Sequence, residues 1–174
     1  PSRTAELSAE VAALRQEIAE RVSSSEVSPS SALSPQHSAL RWLCHECALD
    51  QRGAQQAIEY ILAGKSLLAT VPAQDTIVAE RFFDESGGMQ LVIHAPFGGR
   101  INRAWGLALR KRFCVTFDFE LQAAATDEGI VLSLGEKHSF PLETVFAFLN
   151  VTTLREVLTQ AVLQVPFGWA SDRW

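Results

Sequence analysis

Five cations fall within thirteen positions of one stretch, HAPFGGRINRAWGLALRKRF, residues 94–113: Arg100, Arg103, Arg110, Lys111 and Arg112. The 174-residue chain holds fifteen Lys and Arg in all, so a third of its positive charge is gathered here. Guanidinium groups match phosphate oxygens two at a time, and a lysine adds a point charge. The chemistry on offer is the holding of a phosphate backbone. Trp105 lies in the middle of the group. An indole there is either a core side chain or a platform on which a base stacks. No Asp or Glu occurs from Ser86 to Phe117, so that segment carries five positive charges while the rest of the chain carries ten cations against twenty acids.

Other residues invite chemistry and do not complete it. Gly64-Lys65-Ser66 has the tail of a phosphate-binding loop, but the glycine required five residues earlier is Glu59. Cys44 and Cys47 form a CxxC around His45, but a structural zinc needs four ligands. Cys114, His37, His94 and His138 stand singly, so free thiols and no metal site are expected. His45-Glu46 lacks the second histidine of a zinc-protease helix. Asp84-Glu85 and Asp127-Glu128 sit at turn signals, where solvated acids are commoner than an acid/base pair. No Gly-x-Ser-x-Gly is present. Nothing here makes the chain a catalyst alone, and no cofactor is expected on it.

The elements that must position the basic stretch follow from periodicity. Leu7, Val11, Leu14, Ile18 and Val22 recur at helical steps, which predicts an amphipathic helix over 5–22 with Thr4 as its cap. SSSEVSPSSALSPQ, residues 23–36, reads as a mobile linker, since it has too little apolar surface to offset its ordering entropy. SALRWLCHECAL predicts a second helix. Asp50 predicts the cap of a third that runs to about Leu62 with Gly64 past its end. From residue 75 the period changes. DTIVAERFF and MQLVIHAP around DESGG predict a hairpin, and TFDFELQAAAT and GIVLSLG around Asp127-Glu128-Gly129 predict a second. Between them the basic stretch predicts a helix that begins after Gly98-Gly99. Two helices close the chain, one with Pro141 in its first position and one capped by Thr153 with Glu156. The fold class expected is α+β: a four-stranded, mainly antiparallel sheet in the order strand-strand-helix-strand-strand, with flanking helices. Three segments are expected: the helix to residue 22, the linker 23–36, and the α+β domain 37–174.

Composition bounds the partners. With 47% hydrophobic and 20% charged residues the chain is an ordinary globular protein, and its net charge is -5. That balance excludes a coat of nucleic acid over the whole surface, but it permits one basic face. No run of eighteen apolar residues exists, so no membrane helix is expected. Three cysteines and no apolar signal core at PSRTAELSAE point to a cytoplasmic protein.

DTIVAERFFDESGGMQLVIHAPFGGRINRAWGLALRKRFC followed by FELQAAATDEGIVLSLGEKHSFPLE resembles the C-terminal region of Lhr-type helicases. These are large helicase-related proteins of superfamily 2, and the region is the DEAD/H-associated domain. The resemblance is dense over residues 75–143 and looser in PSRTAELSAEVAALRQEIAERV and DQRGAQQAIEYILAG. It implies a parent enzyme that uses ATP and Mg to translocate 3′ to 5′ on DNA or RNA–DNA hybrids, with a role in DNA repair. This chain has no Walker A loop, no Asp-Glu-x-His box and no arginine finger, so the motor lies outside it. The ending QVPFGWASDRW departs from the family's pattern.

At about 100° per residue, Arg100, Arg103, Arg110 and Lys111 fall in one sector. Ile101, Trp105, Ala108 and Leu109 fall on the other side, where they should pack on the sheet. Arg112 sits among the apolar positions. The expected site is nucleic-acid-binding: Arg100, Arg103, Arg110, Lys111, Arg112 and Trp105, aided by backbone N–H groups near Gly98 to Arg100. Its expected partners are single-stranded DNA or an RNA–DNA hybrid, held weakly by this chain alone, and the helicase motor domains. The alternative is a structural or protein-interaction module without nucleic-acid binding, whose basic helix docks an acidic partner or the chain's own acidic surface. Burial of Arg100, Arg103 and Arg110 in ion pairs would favour that alternative.

Overall fold

A computed structural model describes residues 2–23, 35–117, 121–134 and 140–163. The chain divides into two compact units, Pro1–Ser8 with Ile77–Trp174, and Ala9–Thr76.

The second unit is helical. Helix α1 spans Ala5–Ser23, α2 Pro35–Glu46 and α3 Gln51–Leu68. Thr4 caps α1, its Oγ1 accepting from the Leu7 N–H at 3.2 Å. The buried positions of α1 are Ser8, Ala12, Ile18 and Ala19, while Leu7 and Leu14 are 45% and 39% exposed. The covered face is therefore turned from the one the large residues mark, because small side chains at 8, 12 and 19 permit close approach. Ser23 closes α1, and Pro35 and Gln36 open α2. The remainder of the segment read as a linker, 24–34, lies outside the described residues.

Ile18, Ala19, Ala39, Leu43, Ala54, Ile58 and Ile61 form the core of this unit, with Trp42, Cys44 and Cys47 packed against it. Asp50 caps α3 as expected, its Oδ1 accepting from the Gly53 N–H at 2.6 Å. The helix does not stop at Leu62. Gly64 lies inside it, with open space where a side chain would be. The terminus falls instead at Ala69, in the left-handed conformation at φ 62. Lys65 and Ser66 are thus on a helix interior, where no phosphate loop can form, and their side chains bond Ser23 and the Ala63 carbonyl.

The first unit carries the sheet. Strands β1 Val78–Phe83 and β2 Met89–His94 form the first hairpin, and β3 Gln122–Ala125 and β4 Gly129–Ser133 the second. Helix α4, Gly99–Phe117, joins them, and α5 Thr144–Ala147 and α6 Val151–Leu163 follow. The strand order is β1-β2-β4-β3, and every pairing is antiparallel. The unit is α+β, as its sequence predicts. α4 runs further than the basic stretch, so the second hairpin starts only at Gln122 and is shorter than TFDFELQAAAT suggests.

Alternation puts Met89, Leu91 and Ile93 of β2 with Ile130 and Leu132 of β4 on one face, where all are buried with Leu109 and Phe113 of α4. Phe113 meets Phe140 and Phe148 at 5.3 and 4.8 Å between ring centroids. Gly129 marks the close approach of β2 and β4, since a Cβ there would lie 2.3 Å from the Ile93 carbonyl oxygen.

The closing helices are capped differently from expectation. Asn150 caps α6, its Oδ1 accepting from the Thr152 N–H at 2.9 Å and its carbonyl from Leu154. Thr153 is already in the first turn. Pro141 precedes α5, in a turn where its carbonyl accepts from the Thr144 N–H.

Candidate nucleic-acid interface

Helix α4 is built around small and polar residues on its covered side. Gly99, Asn102, Gly106, Leu109 and Phe113 are buried at steps of three and four, and Ala108 is buried on a different side. The helix packs on β3 and β4 and also on α6. Two covered sides leave narrow flanks. Arg100, Arg103, Arg110 and Lys111 occupy one flank, with Arg100 exposed and the other three half-buried. Ile101, placed on the apolar side by sequence, is 47% exposed. The face that meets the sheet is centred on Asn102 and Gly106, which carry no hydrophobic signal, and this turns the helix away from the position expected.

Asn102 fixes that rotation. Its side chain is fully buried, and Nδ2 donates to the carbonyls of Ala95 at 2.7 Å and Thr126 at 2.9 Å. One amide therefore ties α4 to the end of β2 and to the β3–β4 turn. Gly98 starts the helix at φ 90, a conformation that favours glycine.

Two of the N-terminal N–H groups the sequence offered to a phosphate, those of Gly98 and Gly99, are already engaged. Gly98 N–H donates to the Asp127 carbonyl at 3.1 Å, and Gly99 N–H to Asp127 Oδ1 at 2.7 Å. Asp127 also accepts from the Arg3 N–H at 3.2 Å, and Arg3 Nε lies 3.5 Å from its Oδ2. The Arg3 guanidinium reaches Glu128 as well. Partial burial pushes the Asp127 carboxyl up, but the Gly99 and Arg3 N–H groups and the Arg3 charge outweigh it and hold it below the usual carboxylate range. Asp127 and Glu128 are thus anchoring acids and not free turn acids. Asp84 is the turn acid of the first hairpin. Bonds from the Ser86 hydroxyl, the Gln90 amide and the Gly88 N–H bring it to about 2.

The five predicted cations separate in the structure. Arg103 Nε donates to the Gly99 carbonyl at 2.9 Å, and its Nη2 meets Ser2 Oγ. Among the described residues none of Arg100, Arg103 and Arg110 forms an ion pair. Arg112 lies on the other flank, where its Nε donates to the Phe148 carbonyl at 3.1 Å. Trp105 is half-buried against the core and stacks on Phe97 with 6.2 Å between centroids. Ser2, Gly99, Arg100, Arg103, Thr126 and Asp127 line an open depression of about 830 Å³. Ser2, Arg3, Thr126 and Asp127 were not predicted members. They lie 24 to 125 residues from their partners in the sequence, and no local pattern marks such a pairing.

Among the described residues no group of three or more His, Cys, Asp or Glu is placed to hold a metal, and no helix is long and apolar enough to cross a membrane.

The family match falls mostly on this unit. Residues 71–167 match the DEAD/H associated family. The chain is 27% identical over 92 residues to a Lhr helicase/probable uracil glycosylase of Mycolicibacterium smegmatis, and 28% identical over 93 residues to the Lhr helicase/uracil glycosylase of Escherichia coli. Each match covers 53% of this chain and 6% of the relative, so the chain spans a small part of either protein. Among solved structures, the Mycobacterium smegmatis helicase Lhr bound to ssDNA and AMP-PNP superposes with a TM-score of 0.73 at 23% identity. That superposition covers 92% of this chain and 18% of that one, and it shows a shared fold. With more than half of its length matched, the chain belongs to the DEAD/H associated family, and it is similar to a part of Lhr helicases.

Proposed function

We propose that this chain is an accessory nucleic-acid-tracking module of an Lhr-type helicase. The observation that carries this reading is the basic flank of α4. Arg100, Arg103 and Arg110 lie on a helix whose other sides are committed to the sheet and α6, and among the described residues none of the three is in an ion pair. Lys111 adds a fourth cation to the flank. Arg112 and Trp105 support the arrangement from behind, through Phe148 and Phe97. The lack of ion pairs at the three arginines counts against a helix docked on the chain's own acidic surface, and an acidic protein partner stays as the alternative reading of the flank.

The partner is the backbone of single-stranded DNA, or of one strand of an RNA–DNA hybrid. Phosphate contacts of this kind set position and carry no sequence information. Motor domains outside this chain use ATP and Mg to step along the strand, and the basic flank holds it between steps. The module itself takes no nucleotide cofactor, acts in the cytoplasm, and serves DNA repair through its parent enzyme. The solved relative bound to ssDNA supports this choice of partner.

Three or four contacts give weak binding by the module alone, roughly 10⁻⁴ to 10⁻⁵ M, with a shallow salt dependence. Replacing Arg100, Arg103 and Arg110 by Gln should weaken binding to all sequences alike. It should also lower the salt slope by about two, at about 0.7 per phosphate of a single strand. Fluorescence anisotropy with labelled single-stranded DNA and RNA at several salt concentrations measures both, and circular dichroism checks the fold. Equal binding by variant and parent would refute the proposal.

A further inference from the structure

A second candidate surface, rich in N–H donors, lies in the helical unit. On α2, His37, Arg41 and His45 recur at steps of four with Ser38 beside them, so they share one side of the helix. All four are exposed, while Ala39 and Leu43 are fully buried on the opposite side. Among the described residues Arg41 makes no ion pair or hydrogen bond. Next to this stripe the Arg21 guanidinium lies 4.4 Å over the Trp42 ring. Glu17 holds it there, accepting from Arg21 Nη2 at 2.6 Å and Nε at 3.0 Å. The Arg21 side chain is 37% exposed, so the stack reaches solvent. Arg21, Ser38, Arg41, Trp42, His45 and Gln51 line a groove of about 740 Å³.

Two acids stand at this groove, and Glu46 is part of its lining. Glu17 is engaged by Arg21, and Glu46 has its Oε1 3.0 Å from His45 Nδ1. What remains is one guanidinium and imidazole stripe for an anion, one flat cationic plane for a π-face, and hydroxyl and amide groups at the edge. An acidic peptide would use the stripe and leave the plane unused. A nucleotide uses both, because bases stack on guanidinium planes as they do on aromatic rings.

We propose that this groove takes one nucleotide of a single-stranded nucleic acid, with its phosphate on Arg41 and His45 and its base on the Arg21–Trp42 stack. The site belongs to the Ala9–Thr76 unit and owes nothing to the basic flank of α4.

The test uses the full chain and labelled oligo-dT and oligo-rU. Arg41→Gln/His45→Gln changes exposed side chains only, so the fold should survive. It should lower the salt slope by about 0.7. Arg21→Gln keeps Trp42 and removes the guanidinium plane, and it should weaken binding about fivefold or more. Photo-cross-linking with 5-iodo-dU should attach the strand to the peptide that carries Trp42. If both variants bind like the parent and cross-links map only to 94–113, this site is refuted and the α4 reading stands. If the α4 triple variant binds like the parent while these variants lose affinity, the α4 reading falls and this one stands. If a polyglutamate peptide displaces the strand as well as oligo-dT does, the groove is a carboxylate site and the nucleotide assignment is overturned.

Discussion

Replacing Asn102 tests whether one buried amide sets the position of the basic flank. The side chain is 0% exposed and makes two bonds through Nδ2, to Ala95 O and Thr126 O. Alanine removes both. At about 1 kcal/mol net for each bond, the loss is about 2 kcal/mol. The space left by the amide adds up to about 1 kcal/mol, since a fully packed neighbourhood collapses only in part. One effect runs the other way. Asn102 Oδ1 is buried with no partner among the described residues, so its removal relieves an unsatisfied acceptor and trims the loss. The expected cost of Asn102→Ala is therefore about 2 kcal/mol. At this chain length that is a fall in Tm of roughly 4–8 °C.

Asn102→Asp sharpens the test. It keeps the volume but points carboxylate oxygens at two carbonyl oxygens in a buried site. At neutral pH it should cost more than the alanine variant, roughly 3–5 kcal/mol. Urea titration followed by tryptophan fluorescence and calorimetry measures both variants. A loss below about 0.5 kcal/mol for alanine, or an aspartate variant no worse than the alanine one, would refute the role given to this amide.

Gly129→Ala should cost about 2–4 kcal/mol in a urea titration, because its Cβ would meet the Ile93 carbonyl at 2.3 Å and neither backbone can yield. Asp84, with its pKa depressed to about 2, stabilises the first hairpin above its unfolded value of about 4 and loses that contribution as pH falls from about 4 towards 2. NMR titration of its carboxyl should show the low midpoint, and Asp84→Asn should flatten acid unfolding in that window. Asp127→Ala uncaps α4 and should cost about 1–2 kcal/mol, while its lost negative charge should tighten single-strand binding at low salt. A variant that binds more weakly without unfolding would contradict this. The chain should show no ATP turnover, and Lys65→Ala should change nothing in a phosphate-release assay; activity that survives repurification and disappears in that variant would overturn the reading of 64–66.

The hairpins were legible because their signals are local. The β-rich runs MQLVIH and GIVLS and the turn residues DESGG and DEG mark the two hairpins, while the β2–β4 pairing that joins them has no local signal. Helix rotation was not legible. In α1 and α4 the large apolar residues mark one face, yet Ser8 and Ala12, and Asn102 and Gly106, are the residues that go inside. Close packing selects small side chains there, and a hydrophobicity pattern gives them no weight. Helix ends failed for a related reason. Gly64 was read as a terminus, but a glycine in a helix costs only about 1 kcal/mol, which the buried Ala54, Ile58 and Ile61 of α3 help to offset. The cationic cluster was legible as charge, but its division between two flanks depends on where α6 and the Phe148 carbonyl lie.

The capping of α4 by Asp127 bears on how the flank can work. A free helix N-terminus would add a fixed partial positive charge and draw a phosphate to the helix axis. Here a carboxylate from the β3–β4 turn satisfies Gly99, and Arg3 balances that carboxylate from the other side. The axis is therefore neutralised within the fold, and attraction is left to side chains that project sideways from the helix. Such a surface has no deep point charge at which a strand would stall. In the proposed function its contacts are those of long side chains at 100, 103 and 110, spaced over about three turns. Affinity of this kind is dispersed, screened by salt and easily exchanged from one phosphate to the next. A strand moved by a motor needs a surface that holds it without fixing its register, and the capped helix with its open basic flank has that character.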